Sequence, residues 1–109
     1  MMLHHIGIVV DSLAEALPLF QVWMRAKPVG GIVEDHTQGA RIQLCVIAPD
    51  SLLEIVEPIP GEENFLHRQD GFHLCFTVPD LDAEMARLHE MGAVVIQPPV
   101  ESATTCPDL

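Results

Sequence analysis

The chain has 109 residues, 49% of them hydrophobic, and 16 acidic against 5 basic residues give it a formal net charge of -11. This length suits one small domain with its own core. So acidic a chain repels phosphate backbones, and its apolar runs are too short to span a bilayer, which argues against nucleic-acid and membrane partners. It opens on no secretory signal, so a cytoplasmic location is expected.

The first predicted element is a strand at residues 5–10, a His followed by five residues that suit a strand. A helix follows, because Ser12 can act as N-cap with Glu15 completing a capping box. Pro18 removes a backbone donor and predicts a kink or a later helix start. The apolar face of this helix would contain Leu13, Ala16, Leu17, Phe20 and Met24.

Three more strands are predicted before the middle of the chain. A short extended piece at residues 32–34 precedes a turn at Gln38-Gly39. Longer strand-like runs follow at residues 40–48 and 51–56, separated by a Pro-Asp turn at residues 49–50. The first unit is therefore β-α-β-β-β.

An internal repeat then restarts the pattern. The strand-like run at residues 73–78 again begins with a His and lies 68 residues after its counterpart at 5–10. Asp80 can cap the second helix, and Gly92 is a plausible stop. A strand is expected at residues 93–97, after which the pattern lacks the two strands that would complete a second unit.

These elements predict an α+β fold. A βαβββ module would be followed by an incomplete second βαβ module, in a curved mixed sheet with its helices on one face. We expect one domain over residues 1–109, with a first module at 1–58, a polar connector at 59–70 and a partial second module at 71–109.

The repeat also places two His on the same face of the sheet. Because strand side chains alternate, His5 and His73 each point away from the bulky apolar row that would pack against a helix. Glu54 lies within an apolar strand, where a carboxylate must be solvated, paired or coordinated. These three side chains, each from a different strand, are the candidate ligands of a divalent metal.

Other polar residues are predicted to be structural. His4 is expected to be a strand-end residue on the helix-facing side and not a ligand, and Glu57 is expected to be solvent-exposed. Trp23 is expected in a core or interface. The three cysteines show no paired spacing, so a disulfide framework is not expected; Cys45 and Cys75 lie in apolar runs as small hydrophobes.

Three segments together resemble the vicinal oxygen chelate superfamily, which includes glyoxalase I, bleomycin-resistance proteins and methylmalonyl-CoA epimerases. They are LHHIGIVV at residues 3–10, LEIVEP at 53–58 and GFHLCFTVPDL at 71–81. The resemblance implies two βαβββ modules around a metal cavity. It places metal ligands at His5, Glu54 and His73, while the fourth family ligand, a Glu on the last strand, has no counterpart here.

The resemblance implies a glyoxalase- or epimerase-like lyase or isomerase that acts on a small carbonyl compound through an enolate-like intermediate. The implied cofactor is a divalent ion, which could be cobalt, manganese, nickel, zinc or iron, and no catalytic base is assigned. One alternative is a protein that binds small molecules without catalysis or metal, as bleomycin-resistance relatives do, or a degenerate short relative. A lesser alternative is an iron-dependent ring-cleaving dioxygenase, because two His and a carboxylate resemble a facial triad.

The expected partners are a small-molecule ligand and further copies of the chain. An incomplete sheet leaves a strand edge and an apolar surface exposed, and such edges pair with other chains. A homodimer or higher homo-oligomer is therefore predicted.

Overall fold

The structure, a computed structural model, describes residues 1–48, 51–62 and 71–95. Its elements follow the predicted order, β-α-β-β-β and then β-α, which confirms the α+β class. They are β1 (Met2–Val9), α1 (Leu13–Trp23), β2 (Lys27–Asp35), β3 (Ala40–Ala48), β4 (Ser51–Pro58), β5 (Phe72–Thr77) and α2 (Leu81–Glu90).

The five strands form one mixed sheet in the order β2-β3-β4-β1-β5. β4 runs parallel to β1, whereas β5 runs antiparallel to β1 on its other side. β3 pairs antiparallel with both β2 and β4. β1 is therefore the strand at which the first and second units meet.

The main core lies between α1 and the sheet. Its buried members include Leu13 at the start of the helix and Leu53 and Ile55 on β4. The predicted apolar stripe of α1 supplies Leu17, Phe20 and Met24 to the same cluster. A second buried cluster of Ala40, Ile42 and Val56 lies together on β3 and β4. Since residues 55 and 56 of one strand point to opposite faces, β4 is buried on both.

The helix starts follow the predicted caps. The Ser12 hydroxyl accepts a hydrogen bond from the Glu15 backbone N–H at 3.3 Å, and the Asp80 carboxylate accepts one from Ala83 at 3.1 Å. α1 begins at Leu13 and continues through Pro18. Each cap satisfies a backbone donor that the first helical turn leaves without a partner.

The expectation that Glu57 is solvent-exposed is wrong. Its side chain is only 17% exposed, and its carboxylate accepts hydrogen bonds from the Leu13 backbone N–H at 3.0 Å and from Arg41 at 2.8 Å. Glu57 lies on the face of β4 that packs against α1, so its negative charge meets the positive end of the helix. The Arg41 and Leu13 hydrogen bonds hold the pKa of Glu57 below its ordinary value.

The turn between β2 and β3 is built around Asp35, which is fully buried. Its carboxylate accepts hydrogen bonds from the Thr37 backbone N–H at 3.0 Å, from the Thr37 hydroxyl at 2.5 Å and from the Gln38 amide at 2.8 Å. Gly39 then takes a φ of 65°, a left-handed conformation that favours glycine. The turn predicted at Gln38-Gly39 is confirmed in this form.

Several boundaries differ from the prediction. β2 spans Lys27–Asp35, longer than the expected 32–34, with a register shift between Val29 and Val33. Residues 93–95 are not in a strand, because the N–H groups of Gly92 and Ala93 bond back to the carbonyls of His89 and Leu88 and close the end of α2. Trp23 is 69% exposed and lies outside the core.

The expected turn at 49–50, most of the connector and the remainder of the predicted 93–97 strand lie outside the described residues. Within the described chain, neither helix has the length and apolar character needed to cross a membrane.

Candidate metal centre

The three predicted ligands lie on neighbouring strands of the sheet, close to Gly7. Gly7 on β1 pairs with Glu54 on β4 and, on its other side, with His73 on β5. His5 lies two residues before Gly7 and therefore shares its face. The side-chain alternation inferred from the sequence thus places all three residues on the face opposite α1.

Their ligand atoms converge on one point. His5 Nε2 lies 3.3 Å from one carboxylate oxygen of Glu54, and His73 Nε2 lies 3.4 Å from the other. The two imidazole rings are nearly perpendicular, with centroids 5.5 Å apart. One donor atom from each of the three residues lies within 4.8 Å of the others.

Gly7 makes this convergence possible. A Cβ built on Gly7 would lie 1.9 Å from His73 Cε1 and 2.3 Å from His73 Nε2. Real atoms do not approach so closely, so the His73 ring occupies the space that any side chain at position 7 would need. Glycine within a strand often marks such a close approach, and here it leaves room for the His73 imidazole beside the main chain.

Two of the three side chains are buried, and His73 is half-buried. His5 is 9% exposed and Glu54 is 7% exposed. Burial lowers the pKa of His5, and the neighbouring imidazoles of His73 and His4 act in the same direction, while the Glu54 carboxylate opposes them. A neutral imidazole keeps a lone pair, which is the form that binds a metal ion.

This donor set fits a divalent cation. Two imidazole nitrogens and a carboxylate oxygen are ligands that zinc and other first-row divalent ions accept. A cation held by this set would also offset the negative charge of the buried Glu54 carboxylate. The residues therefore fit the metal that the resemblance implies.

The expectation that His4 faces the helix side is wrong. The pairing of β1 with β5 shifts between Leu3 and His5, so that His4 is an extra residue in a β-bulge. His4 Nδ1 lies 2.8 Å from His5 Nδ1. The ligand atoms of His4, His5 and Cys75 also lie within 4.8 Å of one another.

Sequence reasoning missed His4, Cys75 and Gly7. A bulge depends on how two distant strands pair, so nothing local to residues 3–5 signals it. For Gly7 a signal exists, since it interrupts an otherwise bulky strand. Cys75 was assigned to packing, whereas it is only half-buried and pairs directly with His5.

Sequence comparison assigns the family. A family model described as the Glyoxalase/Bleomycin resistance protein/Dioxygenase superfamily matches residues 4–107. The chain belongs to this superfamily. No curated protein sequence matches the chain.

Solved structures of similar fold agree with membership of the superfamily. The hypothetical protein BH1468 from Bacillus halodurans is 27% identical, with a TM-score of 0.71 over 87% of this chain and 71% of that one. Methylmalonyl-CoA epimerase from Mycobacterium tuberculosis is 26% identical, with a TM-score of 0.69 over 84% of this chain and 64% of that one. A Streptomyces coelicolor methylmalonyl-CoA epimerase is 24% identical, with a TM-score of 0.69 over 89% of this chain and 76% of that one.

Proposed function

We propose that the chain is a metal-dependent isomerase or lyase that acts on a small carbonyl compound, with His5, Glu54 and His73 as metal ligands. The observation that carries the proposal is the convergence of these three side chains from three strands, two of them buried and one half-buried. Membership of the glyoxalase superfamily and structural similarity to methylmalonyl-CoA epimerases support the reaction class.

The chemistry of the proposed reaction follows from what the donor set can hold. A divalent ion there would act as a Lewis acid toward a substrate oxygen, which stabilises the negative charge that develops when a proton leaves the neighbouring carbon. His5 and His73 would bind the ion through an imidazole nitrogen, and Glu54 would bind it through a carboxylate oxygen. Burial of His5 and Glu54 excludes water and strengthens every charge interaction at the site.

Each ligand would be fixed by the fold rather than by a flexible loop. Glu54 lies within β4, the central strand, which is buried on both faces, and His5 lies within β1, which pairs with β4 on one side and β5 on the other. His73 is held over Gly7. Sites built on rigid strands keep ligand positions well defined, which both metal binding and substrate orientation require.

The first test is the metal content and zinc affinity of the purified chain and of its His73→Ala variant. We expect near-stoichiometric metal in the parent chain and its loss in His73→Ala. His89→Ala is a matched control, because His89 is an exposed histidine on α2. Metal that is retained in His73→Ala, or a parent chain without metal after incubation with zinc, cobalt, nickel and manganese, would refute the proposed site.

The second test measures the reaction class directly. In deuterated water, an isomerase or lyase of this kind exchanges the proton on the carbon next to the carbonyl, which NMR detects before any product is assigned. Adducts of 2-oxo aldehydes with thiols and methylmalonyl thioesters form the first substrate panel. We expect exchange that depends on added metal and is lost in Glu54→Gln.

The two alternative functions give different results in the same assays. Thermal stabilisation by a ligand without proton exchange would support a binding protein of the same fold. Oxygen uptake with a catechol in the presence of Fe²⁺ would support a ring-cleaving dioxygenase. Either result, without proton exchange on the carbonyl panel, would replace the isomerase or lyase proposal.

A further inference from the structure

His4 and His5 make a short contact that the proposed metal site does not use. Their Nδ1 atoms lie 2.8 Å apart, and the rings meet edge to face with centroids separated by 5.1 Å. The β-bulge between Leu3 and His5 brings these adjacent residues together, since in a regular strand they would point to opposite faces. His4 is half-buried and His5 is buried.

This contact constrains which nitrogen of His5 carries hydrogen. A neutral imidazole has one N–H and one lone pair. If His5 gives the lone pair of Nε2 to a metal, its hydrogen must be on Nδ1, and the Nδ1 of His4 lies at hydrogen-bond distance from it. His4 can accept that hydrogen bond with the lone pair of its own Nδ1, while its hydrogen is on Nε2.

A direct metal site at His4, His5 and Cys75 fits the distances less well. Two nitrogens bound to one tetrahedral ion at about 2.0–2.1 Å lie roughly 3.3 Å apart. The observed 2.8 Å between the two Nδ1 atoms is shorter and matches a hydrogen bond. His5 Nε2 meanwhile faces Glu54 at 3.3 Å, on the side of the proposed site.

We propose that His4 is a positioning residue, which accepts a hydrogen bond from His5 Nδ1 and thereby directs the lone pair of His5 Nε2 toward the metal. The inference rests on the proposed function, because it assumes that His5 is a ligand. Hydrogen-bond acceptors behind ligating imidazoles fix the tautomer and ring orientation and raise ligand basicity. His4 does this from the neighbouring position in the same strand, through the bulge.

The experiment compares zinc and cobalt affinity in the parent chain and in three variants, His4→Ala, His4→Asn and Cys75→Ser, by calorimetric titration. We expect His4→Ala to weaken zinc binding by about 10- to 100-fold, the effect of removing a hydrogen-bond partner of a ligand. His4→Asn should recover most of the affinity, because its amide oxygen can accept the same hydrogen bond. Cys75→Ser should bind as the parent does.

NMR of the zinc-loaded parent chain tests the proposed tautomer of His5 directly, even if a variant fails to fold. The His5 ring should show a protected Nδ1 proton and an Nε2 without a proton. In His4→Ala that Nδ1 proton should exchange rapidly with water. A purely structural role for His4 would lower the stability of the variant but would leave both the tautomer and the metal affinity unchanged.

The outcomes separate this inference from the proposed function. Zinc binding in the parent with unchanged affinity in His4→Ala would overturn the positioning role alone. Equal weakening in His4→Ala and Cys75→Ser, with a thiolate-to-cobalt charge-transfer band in the parent, would mean that His4, His5 and Cys75 bind the ion directly. A parent chain that binds neither ion would overturn both the inference and the proposed function.

Discussion

At the scale of single residues, Gly7 is the position where the smallest change should have the largest effect. Gly7→Ala would place a methyl group inside the His73 ring, so the ring must leave its place over β1. We expect a loss of about 1–3 kcal/mol in the free energy of unfolding, as for other overpacked sites, together with weaker metal binding. Chemical denaturation and zinc titration measure the two effects.

Gly31→Ala is the matched control for Gly7. A Cβ there would meet nothing within 4 Å, and Gly31 has no positive φ. Its stability and metal affinity should stay close to those of the parent. Equal effects in the two variants would mean that contact with His73 does not explain the glycine at position 7.

Arg25 is strained in a way that a substitution can relieve. It is exposed, follows the end of α1 and has a φ of 53°, a left-handed conformation that costs a residue with a Cβ about 1 kcal/mol or more. Arg25→Gly removes that cost but adds flexibility to the unfolded chain. We expect a net gain of about 0.5–1 kcal/mol in urea denaturation, whereas Arg25→Ala, which keeps the Cβ, should give no such gain.

At the scale of elements, Glu57 connects β4 to the start of α1. Glu57→Gln should cost about 1–2 kcal/mol at pH 7, because it removes the negative charge that strengthens the hydrogen bonds from Leu13 and Arg41. The exposed Glu90→Gln serves as a control. Denaturation of the parent and variants between pH 7 and pH 3 tests the effect.

The pH dependence of the Glu57 effect has a definite sign. The folded pKa of Glu57 lies below its ordinary 4.5, so below that pH the unfolded chain holds more protons than the folded one. The contribution of the carboxylate is therefore complete above pH 4.5 and is lost as pH falls through the lower, folded pKa. The stability gap between the parent and Glu57→Gln should shrink on acidification, and a gap that is independent of pH would contradict this account.

At the scale of the whole molecule, apolar side chains remain exposed where β1 and β5 meet. Within the described residues, α2 buries none of its side chains, and β5 has a strand partner on one side only. The exposed large apolar residues on β1, β5 and α2 are Met2, Leu3, Ile6, Phe72, Leu74, Phe76, Leu81 and Leu88. Leu3 pairs with Phe76 and Ile6 pairs with Leu74, so exposed apolar side chains lie side by side on β1 and β5. Exposed apolar surface of this kind marks an interaction site, and we predict that it mediates self-association.

Light scattering over a range of protein concentrations tests this prediction. Because each chain has a net charge of -11, copies repel each other at low ionic strength, and added salt should favour the dimer. Leu74→Lys should shift the equilibrium toward monomer. Val22→Lys, an exposed apolar position on α1, is the control. A monomer at every salt and protein concentration would show that this surface does not associate.

The sequence predicted the fold and the common face of the three candidate ligands because both depend on periodicity. Residue alternation and the 68-residue repeat assign His5 and His73 to one face before any pairing is known. Glu57 was misjudged because alternation gives its face but not the helix N-terminus above it. His4 was misjudged because the bulge arises from pairing with β5, some 70 residues away. The strand expected from residue 93 is not formed at residues 93–95, because backbone N–H groups there bond to carbonyls at the end of α2.

β1 pairs with β4 of the first unit on one side and with β5 of the second unit on the other, so a metal ion bound between them should make the two units harder to separate. His5 and Glu54 belong to the first unit, whereas His73 belongs to β5 of the second. A bound ion would therefore cross-link two parts of the chain that meet, within the described residues, through the pairing of β1 with β5. An ion at about 100 times its dissociation constant would oppose separation of β5 by about 2.7 kcal/mol.

Hydrogen exchange should reveal this cross-link. Amides in the β1–β5 ladder should exchange about 100-fold more slowly with metal present at that concentration, while the hairpin of β2 and β3 should be unaffected. An equal response in both ladders, or none in either, would contradict it. The ion would then do more than serve a reaction: its concentration would set how often the second unit detaches from the first.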